Sequence, residues 1–218
     1  MTLLEVVNGV LRRLREPVVT NTSDTVYSTM LVDFVNDAKT LVENAHDWIA
    51  LRATINFSTV ASTTNYALTG SGSRMKIINV LNDTGNRVLI QKSQSQVDRM
   101  QTLTTTPESD PYSFTFRGTD ANGDLTVDLY PTPDAIYSID FNVVKPQVIL
   151  VASTNDATEI LVPANPIIHL VMALAARERG ETGGTSTAEL FTIADAFLAD
   201  DIALDMARSP AESIWYYV

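Results

Sequence analysis

The most regular pattern in the chain runs from Asp24 to Trp48, where apolar residues recur every three or four positions. They are Val26, Tyr27, Met30, Leu31, Phe34, Val35, Ala38, Leu41, Val42, Ala45 and Trp48. This spacing predicts a long amphipathic α-helix that serves as the spine of a bundle. Ser23 or Asp24 is placed to cap its first N–H groups. The opposite face is expected to stay solvated, with Ser28, Asp33, Asp37, Lys39, Thr40, Glu43 and Asp47.

Helical patterns also occupy both ends of the chain. Thr2 and Glu5 have the spacing of a capping box, and they predict a short first helix that stops at Pro17. A third helix is expected from Asn165 and Pro166 to Gly180, apolar on most sides and therefore buried. The last helix is expected over about 186–207, with its core face formed by Leu190, Phe191, Ala194, Phe197, Leu198, Ile202 and Met206.

Between these helices the period changes to two, which is typical of strands. Strands are predicted over 51–59 and 135–144, and hairpins join 76–81 to 87–90 and 112–117 to 125–130. Residues 93–100 form a short helix or a connector. The whole pattern predicts an α+β fold, a helical bundle from the N- and C-terminal parts with an inserted antiparallel β-rich domain. The predicted domains are 1–50 with 160–208, the insertion 51–159, and a C-terminal docking tail 209–218.

Composition narrows the classes of function. The net charge is −11 and cysteine is absent, so disulfides and cysteine–metal sites are excluded. Proteins that grip DNA need clustered cations, and the one local cluster here is Arg12, Arg13 and Arg15. Tight DNA binding is therefore not expected, although DNA can slide past such a surface. No apolar run reaches the length of a membrane span and no signal peptide is recognisable, so we expect an intracellular protein without membrane contact.

Candidate chemistry is sparse. The chain lacks the familiar zinc-protease, phosphate-loop and nucleophile-elbow motifs, and its two histidines, His46 and His169, fit a helix end and a packed core. Gly70 to Arg74 is expected to be a loop, and Asp120 to Asp124 a hairpin turn rather than a calcium site. The acids Asp200, Asp201 and Asp205 suit a solvated helix face better than a metal site. No catalytic, cofactor or metal site is predicted, and the protein is not expected to be an enzyme.

The order of several short motifs resembles the head-to-tail adaptor proteins of short-tailed bacteriophages, of the tail tubular protein A type. It begins with the helix that ends in His46-Asp47-Trp48 and the strand 52–59. It continues through Tyr66-Ala67-Leu68, residues 74–80, the passage from Pro111-Tyr112 to Leu129-Tyr130-Pro131-Thr132-Pro133, and the strand 137–144. The helical pair after Pro163 completes the match, which covers most of the chain.

The resemblance implies a structural virion protein of the neck, assembled in the host cytoplasm as a ring, commonly of twelve subunits. Such a ring joins the portal protein to the tail nozzle protein, and double-stranded DNA passes through without specific binding. The C-terminal segment of such adaptors commonly reaches the portal, so Ile214, Trp215, Tyr216 and Tyr217 are the expected docking anchors. Asp195, Asp200, Asp201 and Asp205 are the expected acidic lumen or helix face.

Two alternatives remain open at this point. The first is another neck protein, such as a tail terminator, with the same order of helices and strands. The second is a monomeric partner- or carbohydrate-binding module, in which aromatic residues of the β insertion stack on sugars. Those aromatics are Tyr112, Phe114, Phe116, Tyr130 and Tyr137.

Overall fold

The computed structural model describes residues 1–103, 107–180 and 187–208. It confirms the α+β class. The helices are α1 (Leu3–Arg13), α2 (Val26–Ala45), α3 (Gln94–Leu103), α4 (Ala164–Arg179) and α5 (Thr187–Arg208). The strands are β1 (Arg52–Ser58), β2 (Asn65–Ala67), β3 (Lys76–Asn82), β4 (Arg87–Val88), β5 (Ile90–Gln91), β6 (Ser113–Thr119), β7 (Leu125–Tyr130) and β8 (Ser138–Val144). They form two compact units, one of Met1–Leu51 with the described residues from Gln147 onward, the other of Arg52–Pro146.

Helix α1 begins with the predicted capping box. The Thr2 hydroxyl accepts from the Glu5 backbone N–H (3.3 Å), and the Glu5 carboxylate accepts from the Thr2 N–H (2.9 Å). The helix ends before Pro17 in a left-handed residue, Arg15, at φ 59°. The Glu16 N–H then donates to the Leu11 carbonyl (2.9 Å) and the Arg15 N–H to Arg12 (3.2 Å), which satisfies two terminal carbonyls.

Helix α2 is shorter than its sequence pattern predicts at both ends. Thr25 is the N-cap in place of Ser23 or Asp24, because its hydroxyl accepts from the Ser28 N–H (2.9 Å). At the other end His46 is extended, and Trp48 folds back so that its indole N–H donates to the Val42 carbonyl (2.7 Å). The apolar stripe of α2 packs against α1 and α4 as expected, with Leu31, Val35, Ala38 and Val42 buried.

Part of the face of α2 that the pattern predicts to be solvated is covered instead. Lys39 and Glu43 are buried and lie 3.3 Å apart (Nζ to Oε1). The Lys39 ammonium donates to the carbonyls of Gln147 (2.8 Å) and Val148 (3.1 Å), and Glu43 accepts from the Gln147 N–H (3.0 Å). Together these bonds form a clamp that fixes the chain to α2 where it leaves the β-rich unit.

The same contacts explain where the units divide. The predicted boundary lies after residue 159, whereas the β-rich unit ends at Pro146. Beyond the clamp, the Asn36 side chain donates to the Leu150 carbonyl (2.8 Å) and accepts from its N–H (2.9 Å). Residues 147–159 therefore belong with the helices, although they contain no helix of their own.

Helices α4 and α5 complete the first unit. Helix α4 starts at Ala164, one residue before the predicted cap Asn165, with Pro163 at the N-cap position. It ends at Gly180, whose φ of 65° suits the left-handed stop that glycine provides. As predicted, α4 is deeply buried, with Ile167, Ile168 and Val171 in the core, and it packs against α1, α2 and α5.

The second unit holds two four-stranded sheets, in the orders β1-β8-β3-β4 and β2-β7-β6-β5. All neighbours are antiparallel except β5 and β6. Both predicted hairpins are present, since Leu81 pairs with Val88 and Phe114 with Leu129. The inward side chains form one core, which comprises Leu68, Val80, Leu89, Phe114, Val127, Leu129, Ile139, Phe141 and Val143.

The aromatic residues of this unit are used for packing. Phe114 and Tyr130 are buried, and Phe116 and Tyr137 pack against the core. Tyr112 contacts the Tyr130 ring edge-on, with centroids 5.7 Å apart. The five aromatic side chains on which the carbohydrate-binding alternative depends are thus buried or half-buried. Packing of the β-rich unit explains why these residues are aromatic.

Candidate interface surfaces

The residues that the sequence offers for chemistry have structural partners. Gly70 and Gly72 both have positive φ, and their N–H groups donate to the Asp124 carboxylate at 2.8 and 3.0 Å. These bonds, that from Gly70 foremost, lower the pKa of Asp124. The glycine loop therefore holds a carboxylate of the protein itself. Asp120 accepts from the N–H groups of Asn122 (2.8 Å) and Asp124 (2.9 Å), which confirms the hairpin turn.

The histidines also have packing roles. His169 on α4 stacks on Phe197 of α5 with ring centroids 4.5 Å apart, and burial, followed by the charge of Arg13, lowers the pKa of His169. His46 lies just after α2, where its ring contacts Trp48 edge-on. Across residues 1–103, 107–180 and 187–208, no group of three or more potential ligands could hold a metal ion.

The four acids of α5 have different environments. Asp195 and Asp200 are exposed. Asp201 is partly buried; its Oδ2 has no hydrogen-bond partner among the described residues, and burial, reinforced by the charge of Asp200, raises its pKa. Asp205 is buried, lies 3.2 Å from the His46 Nε2, and accepts from the Ile49 N–H at 3.1 Å. The four do not form one solvated face as the sequence pattern predicts, since Asp205 anchors α5 to the chain that follows α2.

Helix α5 leaves much of its apolar surface uncovered. It is rich in apolar residues, yet only Ala194 and Asp205 are buried among its residues. Of the predicted core face, Leu190, Phe191, Leu198 and Ile202 are half-buried, whereas Phe197 and Met206 are exposed. Ile193 and Leu204 are exposed as well, at 40% and 52%. Exposed apolar surface on this scale is typical of interaction sites.

Two other apolar features lie in the same unit. Val148, Ile149 and Val151 point outward from the segment that the clamp holds on α2. A cavity of about 620 Å³ opens beside the end of α1, lined in part by Leu11, Val18, Tyr27 and Arg179. The sequence pattern did not indicate either feature, because both depend on how distant segments meet. The expected docking anchors Ile214, Trp215, Tyr216 and Tyr217 lie outside the described residues.

None of the helices in the described ranges is long and apolar enough to cross a membrane.

Comparison with known proteins identifies the family of this chain. A search of curated proteins finds no match. The model of the SU10 adaptor protein family matches residues 1–213, nearly the whole chain. That family is a class of structural phage proteins and not a class of enzymes. The chain therefore belongs to the SU10 adaptor family, the bacteriophage adaptors whose place is in the virion.

Proposed function

We propose that this protein forms a ring in the neck of the virion, between the portal and the tail nozzle, through which the genome passes. The observation that carries the proposal is the surface of α5. Helix α5 has 22 residues, of which two are buried, so much of its apolar surface stays in contact with water in a single chain. A neighbouring subunit would cover this surface. The adaptor family implies contacts with other virion proteins, and in the proposed ring the neighbour on α5 is a second copy of this chain.

A ring requires two different contact surfaces on each subunit, because every copy must bind its neighbours head to tail. The helical unit offers candidate surfaces of this kind in α5, in the outward residues Val148, Ile149 and Val151, and in the cavity near Val18. Two unlike surfaces on one subunit suit a closed ring, whereas a symmetric dimer uses the same patch on both copies. A stoichiometry of twelve rests on the resemblance to short-tailed phage adaptors.

The charge of the protein suits contact with moving DNA. With a net charge of −11 and a single local cluster of arginines, at Arg12, Arg13 and Arg15, the protein has few of the clustered cations that hold phosphates. Repulsion between the protein and the DNA backbone would keep the genome from adhering during ejection. Among the four candidate acids, Asp195 and Asp200 are the two with exposed side chains that could face a channel.

Docking is assigned to two parts of the chain. We place portal docking in the segment 209–218, through Ile214, Trp215, Tyr216 and Tyr217, since aromatic side chains are frequent anchors of interfaces. The β-rich unit is then the part that faces the tail nozzle. This unit folds around its own core, so it can present a rigid surface.

The test is the mass of the purified protein, alone and mixed with the portal protein of the same virion. Light scattering and negative-stain imaging should show rings, or portals that carry an added ring. A monomer that leaves the portal unchanged would overturn the proposal. Ligand screening of the β-rich unit would then be the next experiment.

A further inference from the structure

The turn that ends α1 is built on an arginine where glycine would cost less. Arg15 adopts the left-handed conformation at φ 59°, at a helix end where glycine is the favoured residue. Its side chain is exposed, and no acidic partner pairs with it within the described ranges. The backbone of Arg15 closes the helix, whereas its exposed charge has no role inside the described part of the unit and is available for a contact with another molecule.

We call the end of α1 and the segment that follows it the basic notch, which consists of Arg12, Arg15, Val18 and the cavity that Val18 lines. Arg12 is exposed and, like Arg15, has no ion-pair partner in the part of the chain that the structure describes. Val18 is 56% exposed. Behind it, Arg179 covers the Tyr27 ring (4.2 Å to the centroid) in the wall of the cavity, whose apolar part also includes Leu11 and Val19. The two acids of the lining have partners of their own, since Glu16 pairs with Arg179 (2.9 Å) and Asp24 accepts from the Thr20 N–H (2.9 Å). The notch thus combines free positive charge with an apolar recess.

Helix α5 carries a surface of opposite character, which we call the acidic ridge: Ile193, Asp200 and Leu204. These positions are seven and four residues apart, so they align along one side of the helix. All three are exposed, and Asp200 has no ion-pair partner in the described ranges. Asp195 lies about 140° around the helix from Asp200, at 100° per residue, and is not part of the ridge.

We infer that the basic notch of one subunit receives the acidic ridge of the next. Arg12 and Arg15 would face Asp200, and Leu204 or Ile193 would fill the apolar recess. The inference rests on the proposed ring and names two surfaces that close it. It also moves Asp200 from the channel lining to the subunit contact. A second copy suits the notch better than DNA does, because a phosphate backbone has no apolar side chain for the cavity.

The experiment compares ring formation on the portal by the full chain and five variants, using mass photometry and negative-stain imaging. R15G removes the charge and the backbone strain together. R15D and D200R each place like charges in contact, and the double variant R15D/D200R restores opposite charges with the signs exchanged. Aspartate tolerates the left-handed conformation, so the exchange suits the backbone. D195R is the matched control, since it makes the same charge change on the other side of α5.

The expected results separate a contact role from a structural one. R15G should unfold at the same temperature as the wild type or higher, yet weaken ring formation by about tenfold, more at low salt than at high salt. R15D and D200R should assemble poorly, the double variant should recover, and D195R should match the wild type.

Two outcomes would overturn the inference. The first is normal rings from R15G, and altered binding of that variant to DNA would then assign Arg15 to a contact with the genome. The second is no recovery in the double variant although circular dichroism shows it folded. If wild-type protein forms no ring with the portal, the proposed function fails first, so the two failures are distinguishable.

Discussion

Single carboxylates of this protein show how strongly the fold decides what a residue does. Asp124 receives two backbone N–H groups, whereas Asp201 has an oxygen that no donor reaches among the described residues. Their pKa values accordingly move in opposite directions. From the sequence pattern both are expected to be polar surface residues. The pattern of neighbouring residues cannot show that the N–H groups of Gly70 and Gly72, from a distant loop, donate to Asp124.

The unsatisfied oxygen of Asp201 makes a prediction about pH. Because burial raises its pKa in the folded state, the folded protein binds this proton more tightly than the unfolded chain does, and stability falls as pH rises through the folded pKa. At pH 7 Asp201→Asn removes the cost of the buried charge, so the melting temperature should rise by a few degrees. Below the usual carboxyl range the wild-type side chain is protonated and the advantage should vanish.

Thermal unfolding followed by circular dichroism across pH 3 to 8 measures this difference. The exposed Asp195→Asn is the matched control and should change the melting temperature little at any pH. A loss of stability in Asp201→Asn at pH 7 would mean that the ionised carboxylate has a favourable partner, contrary to the expectation.

Among the elements, α2 shows which properties of a helix the spacing of apolar residues predicts and which it does not. Its existence, its apolar face and its contact with the other helices follow from the spacing of residues such as Leu31 and Val35. Its length does not, because the polar side chains that cap and cover it act through specific bonds. Lys39 and Glu43 look like a solvated pair in the sequence, yet the returning segment at Gln147 buries them.

The clamp makes the second prediction. Lys39→Met leaves the Glu43 charge buried and also removes the donor to two carbonyls, so unfolding in urea should show a loss of about 3–5 kcal/mol. Glu43→Leu should cost a similar amount, because it isolates the Lys39 ammonium. The double variant should cost less than the sum of the two, with a coupling of about 0.5–3 kcal/mol.

Asp37→Ala, on the exposed side of the same helix, controls for general effects on α2 and should change stability by less than about 0.5 kcal/mol. Strict additivity of the Lys39 and Glu43 effects would show that the two side chains act independently, and the clamp would then not be a unit.

At the scale of the whole molecule, the order of helices and strands and the adaptor family follow from the sequence, and the contact surfaces do not. The turn clusters at 82–86 and 118–124 fix both hairpins locally. By contrast, the basic notch needs Arg179 and Tyr27 brought to the end of α1, which is a tertiary event. The sequence shows that α5 is rich in apolar residues. Only the fold shows which of them, such as Ile193 and Leu204, remain exposed.

The docking segment makes the third prediction. Truncation after Pro210 removes the proposed portal anchors and leaves the core of both units intact, so folding should be unchanged and attachment to the portal should be lost. Co-sedimentation with the portal measures attachment, and circular dichroism checks the fold. In the full chain, replacing Trp215, Tyr216 and Tyr217 with alanine should have the same effect, whereas Ser209→Ala should not. Truncated protein that still binds portals would place the anchors elsewhere.

The pairing of β1 with β8 has a consequence for how such proteins diversify. Arg52 and Val144 are register partners, so the chain enters and leaves the β-rich unit at adjacent points of one sheet. When the two ends of an inserted domain lie close together, another domain can replace it without a change in the fold that surrounds the insertion point. The helical unit can thus stay unchanged while the inserted β-rich unit is replaced, so its partners can change without a change in the proposed ring.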